Sequence, residues 1–246
     1  MIDPVNSGRR AFFRIAGAAA FGLALSAAPR AGRAAGGGLK IGVIGSGRVG
    51  GTVGGLWVKA GHEVMFSSLD LEHDKALAAQ LGAGARAGTP KEAAAFGEVL
   101  LISVPYAALP QIGRELGPLL KGKIVLDTCN PVPARDGDMA LEAKAKGTGV
   151  ASPEFLPGAR LVRAFNSVGY TRMQSEAHRA APQVAIPLAA DDAQALRTAE
   201  RLVRDAGFEP LAVGPLARAK EFDYGTPVFG RALTADELRR ALGIAP

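Results

Sequence analysis

The sequence predicts an α/β protein with a doubly wound, mostly parallel sheet and a small appended α/β portion toward its C-terminus. Short apolar runs alternate with amphipathic helical segments along the chain. These runs are almost continuously apolar, which is typical of strands that are buried on both faces of a parallel sheet. The chain has neither a long linker nor an internal repeat, so residues 35–246 are predicted to form one domain with a C-terminal extension.

The strands are predicted where apolar residues run together. The first, Leu39–Gly45, is short and ends at a glycine. Further strands are predicted at Glu63–Phe66, Glu98–Val104, Lys123–Asp127, Leu161–Ala164, Gln183–Ala189 and Leu211–Val213.

The helices are predicted from apolar spacing and from capping residues. The first, Arg48–Ala60, carries apolar residues at helical spacing and is followed by Gly61 as a C-terminal stop. A second amphipathic helix carries Leu109 and Leu116 on one face. N-caps or capping boxes predict further helices that begin at Asp70, at Thr89, at Asp191 or Asp192, and at Thr234.

Residues 1–34 are predicted to be an export signal rather than part of the fold. Arg9 and Arg10, with Phe12 shortly after, precede the apolar run Ile15–Ala28, which is shorter than the about 20 residues that a membrane span needs. The segment resembles a twin-arginine (Tat) signal, although Gly8 stands where serine or threonine is usual. It therefore predicts a periplasmic protein that the Tat translocase exports, with a disordered basic tail or a signal anchor as the alternative.

The net charge of +6 does not predict a nucleic-acid partner. Five arginines and one acidic residue lie within Met1–Ala34, so most of the excess charge belongs to that segment and not to the folded body. Cys129 is the only cysteine and the three histidines are scattered, so neither an intramolecular disulfide nor a zinc site is predicted. His62, in a helix-to-strand turn, is expected to face solvent.

A glycine-rich loop carries the clearest chemical signal. It reads G-x-G-x-x-G between a predicted strand and a predicted helix, which is the context of a dinucleotide-binding Rossmann fold. Gly45 permits the tight turn, Gly47 lets a pyrophosphate approach the backbone, and Gly50 lets the helix pack on the strand. The helix N-terminus offers free N–H groups to the phosphates. The candidate cofactor-binding residues of this loop are Gly45, Ser46, Gly47, Arg48, Val49 and Gly50.

The end of the second strand favours NADP(H) over NAD(H). An acidic residue at that position would bind the ribose hydroxyls of NAD, but the strand ends in Ser67 and Ser68, whose hydroxyls suit a 2′-phosphate. Asp70 lies further on and is interpreted as a helix cap. Arg48 or Lys75 could add positive charge.

Six segments, taken in order, resemble the deazaflavin:NADP oxidoreductases, their dinucleotide-binding relatives and the reductase domain of the STEAP metalloreductases. They are Lys40–Gly50, Ala60–Val64, Leu101–Tyr106, Val125–Pro131, Leu156–Gly169 and Gly207–Leu216. The resemblance implies that Ser67 and Ser68 face the 2′-phosphate. It also implies that Val104, Pro105 and Tyr106 line the path from the adenosine to the nicotinamide. The residues that would border the nicotinamide are Phe165, Asn166, Ser167 and Val168, and Gly214–Leu216 would close that side. Asn130 is a further candidate for cofactor binding.

Two features depart from the family pattern. Leu69 stands where the family often has arginine, which weakens the preference for NADP(H). The segment after Lys220, E-F-D-Y-G-T-P-V-F-G, matches no assigned part of the family and is a candidate wall of the second substrate's pocket.

The function implied is an oxidoreductase that passes hydride between a nicotinamide and a flavin, a deazaflavin or a small electrophile. Such a transfer requires orientation more than an acid–base pair, so no catalytic residue is assigned. Asn166 is the best polar candidate, and a hydrogen bond to the strand-end turn is an equal interpretation of it. Cys129 is expected to be a small buried residue, and Asp127 to cap a turn.

Two alternative functions are considered beside the oxidoreductase. A non-enzymatic redox sensor or partner subunit would share the same binding loop. A β-hydroxyacid dehydrogenase is disfavoured because the chain is too short for a large helical second domain. The expected partners are a small redox substrate and the Tat translocase, and a homodimer is an open alternative to a monomer.

Overall fold

The computed structural model describes residues 37–245, which belong to one compact unit. The predicted signal lies outside these residues. The described residues form eight strands: β1 (Lys40–Ile44), β2 (Glu63–Ser67), β3 (Ala85–Ala87), β4 (Val99–Ile102), β5 (Ile124–Asp127), β6 (Arg160–Arg163), β7 (Ala185–Ala190) and β8 (Glu209–Gly214). Among the same residues, none of the helices is long and apolar enough to cross a membrane.

The strands make a single sheet in the order β3-β2-β1-β4-β5-β6-β7-β8. Every neighbouring pair is parallel except β6 with β7, which is antiparallel. The first six strands follow the Rossmann order 3-2-1-4-5-6. The prediction of a mostly parallel, doubly wound α/β sheet is therefore confirmed, and the appended portion continues the same sheet through β7 and β8.

Ten helices cover the described sheet: α1 (Arg48–Lys59), α2 (Leu71–Leu81), α3 (Pro90–Phe96), α4 (Leu109–Leu120), α5 (Pro133–Asp136), α6 (Asp138–Lys146), α7 (Thr148–Phe155), α8 (Tyr170–Glu176), α9 (Ala193–Asp205) and α10 (Ala235–Leu242). One apolar cluster joins α1, α2 and α9 to one face of the sheet. A second joins α3, α4, α6 and α7 to the other face. Strand β4 serves both, because Leu101 belongs to the first cluster and Leu100 and Ile102 to the second.

Local capping explains where several helices begin. Thr89 and Thr234 both form complete capping boxes, with Glu92 and Glu237 three residues later. Asp70 caps α2 by accepting a hydrogen bond from the His73 backbone N–H at 3.0 Å. The sequence predicts where these helices begin because each capping residue and its partner lie within three residues of one another.

At the start of α9 the structure decides between two adjacent acids. Asp192 caps the helix, accepting hydrogen bonds from the N–H groups of Gln194 and Ala195. Asp191 instead accepts from the N–H of Leu216, at 2.9 Å. The two carboxylates therefore tie different segments together.

The expectation that His62 faces solvent is wrong. The side chain is 1% exposed. Its Nδ1 accepts a hydrogen bond from the Leu39 N–H at 3.1 Å, and its Nε2 lies 3.0 Å from a carboxylate oxygen of Asp205. These partners, 23 and 143 residues away, bury a group that its local turn alone would leave exposed.

We expect the burial of His62 to make the protein less stable in mild acid. Burial lowers the pKa of His62 from its ordinary 6.5, against the opposing effect of Asp205. As the pH is lowered below 6.5, His62 is protonated in the unfolded chain before it is protonated in the folded protein. The free energy of unfolding therefore decreases as the pH is lowered, until the pH reaches the lowered pKa of the folded state. Urea unfolding between pH 7 and 5, above the range where carboxylates titrate, measures this.

The control is His62→Asn, whose amide oxygen can still accept from the Leu39 N–H but does not titrate. In this variant the loss of stability between pH 7 and 5 should be much reduced. An equal pH dependence in both proteins would show that another group is responsible.

Candidate dinucleotide site

The strand order reverses between β1 and β4, where chain connections depart to opposite sides of the sheet. In open parallel sheets, ligands bind at this switch point, beyond the carboxyl ends of the strands. The glycine loop follows β1 directly, and Ser103–Pro105 follows β4. The loop after β4 lies against the end of β1, since the N–H of Ser103 donates to the Ile44 carbonyl at 2.8 Å.

Two of the three motif glycines are required by close backbone approach. Gly45 has φ +96° and faces the carbonyl of Ser103, so a side chain there would overlap the β4 loop. A Cβ on Gly50 would overlap the carbonyl oxygen of Gly45. A Cβ on Gly47 would meet no protein atom within 4 Å. The space beside Gly47 is therefore open, as close approach of a pyrophosphate requires.

The N-terminus of α1 is free to receive an anion. Gly47 is its N-cap and provides no side-chain cap, and the first turn contains no acidic residue. The first N–H groups of a helix have no partner within the helix, and the helix dipole adds partial positive charge. Arg48 is exposed at the first helical position, while Val49 is partly buried. The loop therefore fits a dinucleotide pyrophosphate.

Both serines at the end of β2 use their hydroxyls within the protein. Ser67 is fully buried and donates to the Val43 carbonyl at 2.7 Å. Ser68 is partly exposed and lies 2.9 and 3.1 Å from the two carboxylate oxygens of Asp74. Ser46 of the glycine loop, which is also buried, donates to the same carboxylate. In this arrangement neither strand-end hydroxyl has a free proton to offer a 2′-phosphate.

Asp74 is the residue at this end of the site that the sequence reasoning missed. It lies in the first turn of α2, seven residues after the end of β2 at Ser67. Its i+4 relation to Asp70 was a signal that could have found it, because the helix cap at Asp70 turns that face of α2 toward the strand end.

The loop after β4 presents Val104 and Pro105 but not the side chain of Tyr106. Val104 is partly buried and Pro105 is exposed, so both can line a cofactor path. Tyr106 is completely buried, packs edge to face against Phe155 and lies 3.2 Å from the Ser152 hydroxyl. Burial raises the pKa of Tyr106 well above its usual value. The residue therefore supports this loop from behind and is no proton donor near neutral pH.

We expect Tyr106→Phe to leave dinucleotide affinity unchanged and to lower the free energy of unfolding by about 1 kcal/mol. The loss is that of one hydrogen bond, which leaves the buried Ser152 hydroxyl without this partner. Dinucleotide titration and urea unfolding of the same samples measure the two effects. A large loss of affinity at unchanged stability would instead place the hydroxyl at the cofactor.

The predicted nicotinamide-side residues meet at the carboxyl ends of β5 and β6. Asn130 Nδ2 donates to the Asn166 carbonyl at 2.8 Å, and Asn166 Nδ2 donates to the Phe222 carbonyl at 3.3 Å. Asn166 is 4% exposed, and its Oδ1 has no hydrogen-bond partner within the described residues. Asn166 therefore hydrogen-bonds the loop at Phe222, and its Oδ1 is a buried acceptor that a ligand could use.

Phe165 and Ser167 shape the turn after β6 through their backbones. Phe165 has φ +57°, an uncommon conformation for a bulky residue and one that costs free energy. Its ring points into the core, edge to face with Trp57 and Phe208. The carbonyl of Ser167 accepts from the N–H of Gly230 at 2.7 Å. The strained turn after β6 therefore aims backbone groups, rather than the Phe165 ring, at this edge of the sheet.

A buried ion cluster fixes the C-terminal segment across the same edge. Arg163, 1% exposed, lies 2.9 Å from an Asp127 carboxylate oxygen and 3.2 Å from one of Asp223. Asp223 also accepts hydrogen bonds from the N–H and the hydroxyl of Thr148. Asp127 accepts from the Cys129 N–H at 2.8 Å, so its predicted role as a turn cap is confirmed. The segment after Lys220, which has no assigned counterpart, is thereby held beside Asn166.

Cys129 is buried, as expected, with its sulfur 3.5 Å from the Ile102 carbonyl oxygen. Burial raises the pKa of its thiol, and the nearby Asp127 carboxylate acts in the same direction. A neutral, enclosed thiol is a poor nucleophile. The cysteine therefore packs the strand end.

Comparison with known proteins agrees with this site. Residues 40–131, which include the glycine loop and Asn130, match the sequence model of the family described as NADP oxidoreductase, coenzyme F420-dependent. The metalloreductase STEAP3 of Rattus norvegicus is 27% identical over 187 residues. That alignment covers 75% of this chain but only 36% of the rat protein.

Solved structures share the fold. A hypothetical protein from Sinorhizobium meliloti superposes with a TM-score of 0.66 at 22% identity, over 80% of this chain and 95% of that one. A putative F420-dependent NADP reductase from Arthrobacter sp. FB24 superposes with a TM-score of 0.61 at 21% identity, over 74% of this chain and 88% of that one. A reductive aminase from Aspergillus terreus, in complex with NADPH and ethyl levulinate, superposes with a TM-score of 0.53 at 18% identity. The superposition covers 73% of this chain and 56% of that one.

Fold and site together define an α/β protein of the Rossmann class with a candidate dinucleotide-binding site. The segment that carries the glycine loop matches the model of a family of NADP-dependent oxidoreductases, and the fold is shared with the solved structures named above.

Proposed function

We propose that this protein is an NADP(H)-dependent oxidoreductase that transfers hydride between the nicotinamide and a second, flat or electrophilic substrate. The observation that carries the proposal is the glycine loop at the switch point. There, an uncapped helix N-terminus and open space beside Gly47 leave room for a pyrophosphate. The match of residues 40–131 to an NADP-dependent family supports the nucleotide and the class of reaction.

When bound, NADP(H) would supply or accept the hydride, and the chain's own residues would bind and orient it. The loop Gly45–Gly50 would hold the pyrophosphate through backbone N–H groups. Val104 and Pro105 would line the path from the adenosine half, and Asn130 and Asn166 would border the nicotinamide half. The unpartnered Oδ1 of Asn166 is an acceptor of the kind that could orient an amide group.

We infer that the second substrate is a flavin, a deazaflavin or a small electrophile that does not depend on a protein acid. Asp127 and Asp223 at this edge are already engaged by Arg163. Tyr106 and Cys129 are buried with raised pKa values. A ring that takes its proton from water suits such a site better than a carbonyl, whose reduction benefits from a general acid.

The first experiment identifies the nucleotide. The chain from Ala35 is expressed in the cytoplasm, purified and denatured, and any released nucleotide is identified by mass spectrometry. Stoichiometric NADP(H) would support the proposal. Release of NAD(H) instead would show that the site prefers NAD(H) to NADP(H). A protein that is empty and binds neither dinucleotide on titration would refute it.

Turnover separates an enzyme from a non-enzymatic sensor or partner subunit. NADPH oxidation is followed with riboflavin derivatives, a deazaflavin and small quinones as acceptors. Turnover with any of them supports the enzyme. Tight NADP(H) binding without turnover under all these conditions would favour the sensor.

We also propose that the protein is exported folded, by the Tat translocase, to the periplasm. Its support is the Arg9–Arg10 pair and the apolar run that follows, both in residues outside the described part of the chain. Export after folding would let the cofactor bind in the cytoplasm and remain bound outside. Residues 1–34 fused to a reporter should direct export, and changing both Arg9 and Arg10 to Lys should stop it. Unchanged export of that variant would remove the basis for the proposal.

A further inference from the structure

The junction between the glycine loop and the end of β2 contains a buried carboxylate. Asp74 is 0% exposed and accepts hydrogen bonds from the hydroxyls of Ser46 and Ser68. Ser46 belongs to the loop that would receive the pyrophosphate, and Ser68 follows the strand end that receives the adenosine ribose in Rossmann folds. Asp74 therefore lies between two subsites of one ligand, although it comes from a helix.

No cation of the described residues forms an ion pair with this carboxylate. Within residues 37–245 its side-chain partners are the two serine hydroxyls, and it takes part in no ion pair. Both serine hydroxyls donate to the carboxylate of Asp74, whose oxygens accept. Negative charge in a buried position acts on nearby charges with little screening. A 2′-phosphate entering beside Ser68 would therefore be repelled.

The cations next in sequence to the two subsites are Arg48, at the start of α1, and Lys75, in α2. Leu69, at the position next to Ser68, is fully exposed and apolar, and Lys75 is paired with Glu72 at 2.8 Å. Arg48, in contrast, is exposed, stacks on the Tyr170 ring at 5.5 Å and takes part in no ion pair with any described residue. It lines one cavity of about 520 Å³ together with Ser46 and His73. The guanidinium is thus next to the glycine loop and able to bind a phosphate.

We propose that Asp74 and Arg48 together set the choice between NADP(H) and NAD(H). Asp74 holds Ser46 and Ser68 in place and disfavours a 2′-phosphate, as the strand-end acid of NAD-binding proteins does, but from α2. Arg48 offsets that repulsion and makes NADP(H) acceptable. The preference therefore depends on a balance of two opposite charges and not on the Ser67 and Ser68 hydroxyls. This inference rests on the proposed dinucleotide site.

The test is a double-mutant cycle on the full-length chain, freed of nucleotide and titrated separately with NADP⁺ and NAD⁺. Asp74→Asn should shift the ratio of the two dissociation constants toward NADP⁺ by about tenfold, which corresponds to about 1.4 kcal/mol. Arg48→Gln should shift the ratio toward NAD⁺ by a similar factor. The double variant should return close to the wild-type ratio.

Two matched variants act as controls. Asp70→Asn changes an acid on the same helix that is exposed and caps it, and asparagine preserves the cap. Lys75→Gln removes a cation that is already paired. Neither should move the ratio by more than about twofold.

Each outcome bears on one proposal. If Asp74→Asn weakens the binding of both dinucleotides equally, or lowers only the melting temperature, Asp74 has only a structural role and the inference is wrong. Should that variant fail to fold, Arg48→Gln decides, because Arg48 is exposed, and an unchanged ratio there overturns the inference. A wild-type protein that binds neither dinucleotide contradicts the proposed function itself, which is a separate result.

Discussion

Gly47→Ala is expected to weaken dinucleotide binding by at least about a hundredfold while leaving the fold as stable as before. The backbone at Gly47 is extended, with φ −63° and ψ −156°, so it does not need the left-handed conformation that favours glycine. A Cβ there meets no protein atom within 4 Å, so the folded chain gains no clash. The methyl group would instead occupy the space where the pyrophosphate must approach the backbone. Titration with NADP⁺, combined with a thermal melt, measures both effects.

Gly50→Ala is the contrasting variant, because its Cβ would overlap the Gly45 carbonyl oxygen. It should lower stability and binding together, since α1 must move away from β1. The pair separates a glycine needed for the ligand from a glycine needed for packing. Undiminished binding by Gly47→Ala would mean that the pyrophosphate does not use this loop.

Arg163→Met is expected to lower the free energy of unfolding by about 3–5 kcal/mol, the largest single-residue effect on stability that we predict. The change leaves the buried carboxylate of Asp127 and the nearly buried carboxylate of Asp223 without their cation. It also removes hydrogen bonds to the carbonyls of Asp127 and Cys129. Burial by itself would lower the pKa of Arg163, but the two carboxylates outweigh it and raise that pKa, so the arginine is charged in the fold.

Arg160→Met provides the control on the same strand. Arg160 pairs with Asp192, but both side chains are partly exposed, and such pairs contribute about 0–1 kcal/mol. Urea unfolding of the two variants should therefore differ by several kcal/mol. Adding Asp127→Asn and Asp223→Asn to Arg163→Met should recover part of the loss, because the unbalanced charges are then removed. Similar losses for Arg160→Met and Arg163→Met would show that burial of the cluster is not what matters.

The Arg163 cluster also connects stability to the site. Asp223 lies in the segment Glu221–Gly230, which accepts a hydrogen bond from Asn166 at Phe222 and donates one to Ser167 from Gly230. Loss of the cluster should loosen this segment first, so that binding at the nicotinamide side is weakened more than at the glycine loop. Binding of 2′,5′-ADP, which lacks the nicotinamide half, is accordingly expected to be less affected than binding of NADP⁺.

The sequence by itself determined the features that depend on neighbouring residues. The strand, glycine turn and helix at Lys40–Lys59 follow from short-range backbone geometry, and the capping boxes at Thr89 and Thr234 are complete within four residues. The apolar runs of the strands, alternating with helical segments, predicted the parallel sheet covered on both faces. Helices α5 to α8 and the strand β3 were not predicted. Helix α6 buries only Ala140 and Ala143, too little for a visible stripe.

Only the tertiary structure decided which polar groups are free. Ser67 and Ser68 look available in the sequence, but hydrogen bonds to Val43 and Asp74 use their hydroxyls. His62 is buried because Asp205, 143 residues later, packs against it. A polar side chain has the same local sequence whether its partner is water or a distant residue. The difference arises when strands far apart in sequence bring their ends to one edge of the sheet, because burial removes the water and obliges each polar group to find a partner within the protein.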